Sequence, residues 1–496
     1  MNKTLVIHPF LCALFPLILL FTHNLGHLYF NQIKLYIFII LIFIYLIKLL
    51  LKIIINDNIK TGIIISICLI LFFSYGHIFA IIETWQINIF GSVYFHIHRY
   101  LLFFWCLLFT SAVYFCIKTT KDLLNINNAI NAGAAALFII PIINIGIYEF
   151  SNLDREVINN DQNYVSGIAP KDEILLPDIY YIVLDGYAGR NSLNETLGFD
   201  NYEIIEYLTS KGFYVASSSR SNYARTYLSL ASSLNMEYIN DYGKVVGHEK
   251  IKIDDIIPVV DRKVFYQLIK ESKVAKFLKS HSYQYINFSS GWGATDDIAM
   301  ADFNHLPIGY ANEPLMMIIE TSILAPFIPY LNFEFSWRKR LLETFNGIGK
   351  LNKNITPKFI LAHIVCPHSP YIFGKNGEVV DSEIFRMRDG GIPNEVKKDL
   401  YLNQLLFVNK KIKLLVEEIL SNSKEPPIII INSDHGASFT FDAKQEIYKS
   451  FPYVGDWLLP PHKELFNERT NNFIATYLPH GGNELMYDTI SNVNIF

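Results

Sequence analysis

Three apolar runs of this chain stop abruptly at acids and imidazoles. IYYIVL (179–184) gives way to Asp185-Gly186, KFILAHIV (358–365) to CPHSPY with His368, and PIIIINS (427–433) to Asp434-His435-Gly436. Two carboxylates and an imidazole offer hard oxygen and borderline nitrogen donors, a set that suits zinc or manganese; with no thiolate beside them, a structural zinc finger is excluded. Gly186 and Gly436 let the backbone turn away while the side chains stay aimed at one point. An Asp-Gly pair alone reads equally well as a turn, and Asp-His-Gly as a loop cap; both together on neighbouring strand ends favour a metal. A metal with an open position needs a nucleophile. SSSRSNYARTYLSLASSLNM (217–236) is dense in hydroxyls and carries apolar residues at helical spacing. A hydroxyl in the first turn of such a helix meets backbone N–H groups and the positive end of the dipole, both favourable to a phosphoryl or sulfuryl oxygen. Spacing does not choose among Ser221, Thr226 and Ser229, and capping is the ordinary role of each.

The elements that must position these residues follow from pattern. IYYIVL, FYVA, YQYINF, KFILAHIV and PIIIINS read as buried strands. NYEIIEYLTSKGF reads as a helix closed by a glycine, DRKVFYQLIKESKVAKFLKSHSY as one helix, and VKKDLYLNQLLFVNKKIKLLVEEILSNS as a long one. Continuous apolar strands separated by helices imply a mostly parallel sheet covered on both faces, hence an α/β domain. In such sheets ligands sit outside the carboxyl ends of the strands, where these acids and imidazoles fall. SSGWGATDD (289–297) is a glycine-broken polar loop with an aromatic; it reads either as an acceptor contact or as a plain turn.

The first third of the chain is different. Residues 5–22, 35–55, 62–82, 100–118 and 129–149 are apolar stretches near the length of about 20 residues that a helix needs to cross a bilayer. Five in succession imply a transmembrane bundle. No small-residue cleavage site follows the first, so it reads as a retained span. Lys3, Lys48, Lys52, Lys60, Lys118 and Lys121 fall on one side, against Lys34, Arg99 and Arg155 on the other, which puts everything after about residue 150 outside the cytoplasm. The expected organisation is a transmembrane anchor over 1–150, a polar connector over 151–176 and an extracytoplasmic domain over 177–496. DTISNVNIF at the end reads as the start of a helix, so further C-terminal structure is expected. Cys12, Cys68, Cys106 and Cys116 lie in the spans and Cys366 stands alone in the exported part, so an internal disulfide is not expected there. The net charge is -4 without a basic stripe, which argues against nucleic-acid binding.

LPDIYYIVLDGYAGR, SNYARTYLSLASSLN, LAHIVCPHSPYIF and IIIINSDHGA, in that order after the apolar spans, resemble the sulfatase/alkaline phosphatase superfamily. They are most similar to its membrane-anchored branch, which includes lipoteichoic acid synthases and phosphoethanolamine transferases. The resemblance covers Pro177 to the C-terminus. It implies one Mn2+ or Zn2+ ion held by Asp185, Thr226, Asp434 and His435, with Thr226 also the nucleophile. His368 resembles the family histidine that contacts phosphate or the leaving group, and His363 either assists it or finishes the strand. The implied activity is transfer of a phospholipid-derived phosphoryl head group, through a covalent threonine intermediate, onto an envelope glycan or lipid at a bacterial cell membrane. Two features depart from the pattern. Asp185 stands where the membrane transferases commonly have Glu, and Thr226 lacks the Cys/Ser-x-Pro-x-Arg context of formylglycine sulfatases, so sulfate-ester hydrolysis is disfavoured. Phosphoester hydrolysis by the same site, and a non-catalytic membrane scaffold with a degenerate site, are the alternatives.

Overall fold

A computed structural model describes residues 4–25, 28, 30–87, 94–153, 176–246, 262–305, 313–330, 333–351, 357–380, 392–439 and 467–496. They form two compact units, Met1–Tyr164 with Asn312–Asn332, and Val165–Ala311 with Phe333–Phe496.

The first unit contains helices α1 (His8–His23), α2 (Phe30–Ile55), α3 (Asn58–Ile87), α4 (Tyr94–Lys118) and α5 (Leu124–Leu153). Four of them, α2 to α5, are long and apolar enough to cross a membrane. The expectation of five spans is corrected here: α1 has 16 residues, a rise of about 24 Å against a hydrocarbon core of about 30 Å. Its Ala13 packs with Ile44 of α2 and with Ile65, Leu69 and Phe73 of α3. Its first turn is capped from α5, where Asn131 Oδ1 accepts from the N–H groups of Ile7 (3.1 Å) and His8 (3.0 Å). Large apolar side chains cover the outer surface of the helices, Ile53, Phe103 and Phe150 among them. Helix α5 runs three residues into the expected connector, and 154–175 lie outside the described residues. Asn312–Asn332, inside the stretch expected to be globular, groups with the helices.

The second unit is built on a seven-stranded sheet, ordered β2-β7-β6-β1-β5-β3-β4. Its strands are β1 (Ile179–Leu184), β2 (Tyr214–Val215), β3 (Gln284–Phe288), β4 (Phe303–His305), β5 (Lys358–Ile364), β6 (Ile428–Asn432) and β7 (Ile474–Tyr477). The five strands from β6 to β4 are parallel. β7 is antiparallel to both β6 and β2, so the sheet is mixed. β1 is buried along its whole length because β5 and β6 flank it and helices cover both faces, which is why its sequence shows no alternation. Around the sheet lie α6 (Arg190–Leu197), α7 (Tyr202–Ser210), α8 (Thr226–Asn235), α9 (Lys263–Lys270), α10 (Lys273–Ser280), α11 (Gly293–Asp296), α13 (Phe333–Gly349) and the long α14 (Asn394–Asn422), while α12 (Glu313–Thr321) belongs to the first unit. The helix expected over Asp261–Tyr283 is two helices. Ser272 breaks it by capping the second, its Oγ accepting from Ala275 N–H at 3.3 Å. FYVA contributes only two residues to the sheet.

Strand register sets the site. Val183 pairs with His363 on one side and Asn432 on the other, and Leu184 pairs with Ile364. The three central strands therefore end level, and the residues that follow them emerge at one edge. The last residues return to the same region: Asn492–Asn494 form a 3-10 turn, and the Phe496 ring packs edge-on to Tyr181.

Candidate metal centre

Asp185 continues the β1 ladder, its N–H donating to Ile364 O at 2.9 Å. Gly186 then turns at φ +70 and gives its own N–H to Asp434 Oδ1 at 3.0 Å. Tyr187 N–H donates to Ser433 Oγ at 2.9 Å, so the loops after β1 and β6 are tied directly together. Gly436 is needed for a different reason: a Cβ there would lie 2.2 Å from Glu468 O and 2.5 Å from Asn471 O.

This wiring brings Asp185, Asp434 and His435 to one point, each at most 4% exposed. His435 Nε2 lies 3.2 Å from Asp434 Oδ2, 3.6 Å from Asp185 Oδ1 and 3.3 Å from Thr226 Oγ1. Four ligands about 2.1 Å from a tetrahedral ion are about 3.4 Å apart, so these separations fit a shared cation. Asp185 Oδ1 and Asp434 Oδ2 are buried without a hydrogen-bond partner, a costly arrangement unless a cation satisfies them. His435 Nδ1 is 2.9 Å from Gly436 O, so it carries the hydrogen and Nε2 presents its lone pair to the cluster.

Thr226 is the first residue of α8, which directs its positive end toward the cluster. The other two candidate hydroxyls are engaged elsewhere. Ser221 Oγ donates to Tyr223 O at 3.0 Å, and Ser229 Oγ accepts from Asn492 Nδ2 at 2.9 Å.

His363 also reaches the cluster. Its Nε2 has no hydrogen-bond partner and faces Asp185 Oδ2 at 3.5 Å; one donor atom each from Asp185, His363 and Asp434 lie within 4.8 Å of one another. Behind it, Nδ1 pairs with Thr295 Oγ1 at 2.8 Å, and the Trp292 ring stands edge-on to the imidazole. The 289–297 loop is thus buried support for His363. His368 is half-buried, with its Nδ1 2.8 Å from Ser369 O. It lines a pocket with Gly186, Tyr371, Tyr401, Ser438 and Arg469.

Electrostatics match a site awaiting positive charge. Burial raises the Asp185 carboxyl, but the imidazoles of His368, His363 and His435 outweigh it and hold the acid below the usual carboxylate range. Asp434 is pushed up to about 6, by burial and then by the charge of Asp185. His435 is pulled well below its ordinary value by burial and by Arg469. It stays neutral, as a ligand must.

Three supporting residues were not foreseen from the sequence. Arg469 Nε donates to Ala224 O at 2.8 Å, and its Nη2 sits 2.9 Å from His435 Nε2, on the lone pair that an ion held by His435 would take from it. Asn492 Nδ2 donates to Ser433 O (3.0 Å) and Asp434 O (3.3 Å), bracing the loop after β6 from behind. Tyr401 accepts from Ala188 N–H and donates to Gly186 O. No single-residue signal marks the first two; Tyr401 lies two turns into a helix whose apolar face was legible.

No protein-family model matches the chain. Among curated proteins, it is 25% identical over 171 residues to the sensor protein kinase WalK of Staphylococcus aureus, a match covering 32% of this chain and 28% of the kinase. The chain thus spans just over a quarter of the length of that relative. Similar solved structures are phosphoethanolamine transferases and sulfatases. The integral membrane lipooligosaccharide phosphoethanolamine transferase A of Neisseria meningitidis is 13% identical at a TM-score of 0.40, covering 81% of this chain and 68% of that one. The periplasmic domain of EptC from Escherichia coli, in complex with zinc, is 11% identical at a TM-score of 0.38, covering 64% and 80%. The putative sulfatase YidJ of Bacteroides fragilis is 12% identical at 0.35, covering 66% and 74%.

Proposed function

We propose that the chain is a membrane-anchored, divalent-metal-dependent transferase that moves a phospholipid-derived phosphoryl head group onto an envelope glycan or lipid. The observation that carries this reading is the convergence of Asp185 Oδ1, Asp434 Oδ2, His435 Nε2 and Thr226 Oγ1 at ligand spacing, with both carboxylate oxygens otherwise unsatisfied. These four residues would hold one Mn2+ or Zn2+ ion; when bound, the ion supplies the charge that lowers the threonine hydroxyl's pKa and offsets charge on the phosphoryl oxygens.

Thr226 is the nucleophile. Its hydroxyl gives its proton to solvent, and Oγ forms a bond to phosphorus as the bond from phosphorus to the diacylglycerol oxygen breaks, and that oxygen leaves with a proton. His368, on the pocket wall, is placed to give this proton and to take one from the acceptor hydroxyl in the second displacement. The acceptor oxygen then replaces Thr226 on phosphorus, and Oγ takes a proton from solvent to regenerate the free hydroxyl, with ping-pong kinetics. Arg469 and the positive end of α8 stabilise the non-bridging oxygens. His363, held through Nδ1 by Thr295, points its Nε2 at the second oxygen of Asp185 from 3.5 Å.

The lysine pattern and the four long helices support an anchor whose globular part faces outside the cytoplasm. The test uses the full chain in nanodiscs with phosphatidylethanolamine or phosphatidylglycerol labelled in both the acyl chains and the head group. Diacylglycerol release by the native chain, lost by about 10,000-fold or more in Thr226→Ala, is expected. Equal release by both proteins would overturn the reading; head-group release as free phosphoester without acceptor product would assign hydrolysis instead.

A further inference from the structure

The stretch between β4 and α13 leaves the globular unit and joins the helical one. PLMMIIETSILAPFIPY (314–330) carries a single charge, Glu320. It forms α12, a tight turn, and a 3-10 helix over Ala325–Tyr330. Ile323 N–H donates to the carbonyl of Phe72 in α3 at 2.8 Å. Gly76, one turn further along α3, makes the approach possible, because a Cβ there would lie 2.4 Å from Glu320 O. Ile318 packs on the Ala13–Ile44–Phe73 cluster and Ile323 on Tyr75, Leu101 and Trp105.

The depth of this contact is informative. Phe72 lies ten residues before Ile82, where the apolar span of α3 ends. That is about 15 Å along the helix, or about half the hydrocarbon thickness. At such depth irregular backbone must satisfy its own polar groups. The turn does so: Ser322 Oγ donates to Ile319 O and accepts from Leu324 N–H, Ala325 N–H donates to Ser322 O, and Phe327 N–H donates to Leu324 O. Leu324 (37%) and Phe327 (44%) nevertheless face outward, as do Phe103 and Phe104 on α4.

We infer that Glu313–Tyr330 is a re-entrant hairpin inserted in the bilayer beside α3, with lipid acyl chains as the partner of Leu324 and Phe327. The inference rests on the membrane reading of α2 to α5. It gives the exported domain a second lipid-embedded attachment, in addition to the one through α5.

The unmodified chain in nanodiscs is photolabelled with a phospholipid bearing a diazirine in its acyl chain, and adducts are mapped by mass spectrometry. Adducts within 313–330 are expected alongside those on α4. Labelling of α4 with none on 313–330 would overturn the inference alone; absence from both would overturn the membrane reading and the inference with it. As a second measurement, the five cysteines are replaced and spin labels placed on Leu324→Cys or Phe327→Cys. They should match a lipid-facing Phe103→Cys label in oxygen accessibility, several-fold above an aqueous Val379→Cys label. Accessibility equal to the Val379 site would refute the hairpin.

Discussion

The two halves of the sheet edge are built to opposite specifications. Where β1 and β6 end, Asp185, Asp434 and His435 are sealed from solvent, and the loops that carry them are pinned by Gly186 N–H, Tyr187 N–H and Asn492. Where β5 ends, His368 is half-buried and lines an open pocket, held mainly through backbone contacts, its carbonyl accepting from Gln404 Nε2 at 3.0 Å. The first half fixes charge and leaves carboxylate oxygens unsatisfied; the second leaves room for a group to arrive and leave. A transferase needs both, since a preorganised centre stabilises developing charge only if the reacting group can enter it.

Each prediction breaks one half and spares the other. Asp434→Asn should have the largest effect, abolishing both metal retention and turnover, because it neutralises a carboxylate of the proposed cation site while its Oδ1 can still accept from Gly186 N–H; retained metal by elemental analysis would count against the sealed half as a cation cage. His368→Gln should lower turnover by about 100-fold or more while leaving metal content unchanged, the signature of proton transfer lost from the open half. Thr295→Val removes the hydroxyl behind His363 and should cost about 10-fold in kcat/KM, in the range of outer-shell partners. Asn492→Ala should be the mildest for activity. It strips a donor from buried carbonyls of Ser433 and Asp434, so the loss of about 1–3 kcal/mol should appear in denaturant unfolding.

The same contrast explains what the sequence discloses. β1, β5 and β6 are legible because strands buried on both faces read as unbroken apolar runs, and Asp185 and Asp434-His435 are conspicuous at their ends. Spacing alone did not separate Thr226 from Ser221 and Ser229, since all three share one hydroxyl-rich stretch; the family resemblance pointed to Thr226, and the three differ in what lies opposite. Arg469 and Asn492 act on residues 34 and 58–59 positions away through loops with no local pattern. β2 and β7 pair antiparallel across long separations, which apolar runs alone do not encode. In the other unit, α1 passes for a span on composition and fails on length, and the hairpin at 313–330 hides because a helix of nine residues is too short to register as membrane-embedded.

The central claim is that one divalent ion bridges the ends of β1, β6 and α8. Anomalous diffraction at the zinc or manganese edge, from crystals of the full chain grown with that metal, tests it most directly. The account predicts one strong peak about 2.0–2.2 Å from Asp185, Asp434, His435 and Thr226. A metal-saturated crystal with no peak among those four side chains, or with Thr226 turned away from an ion held elsewhere, would contradict it.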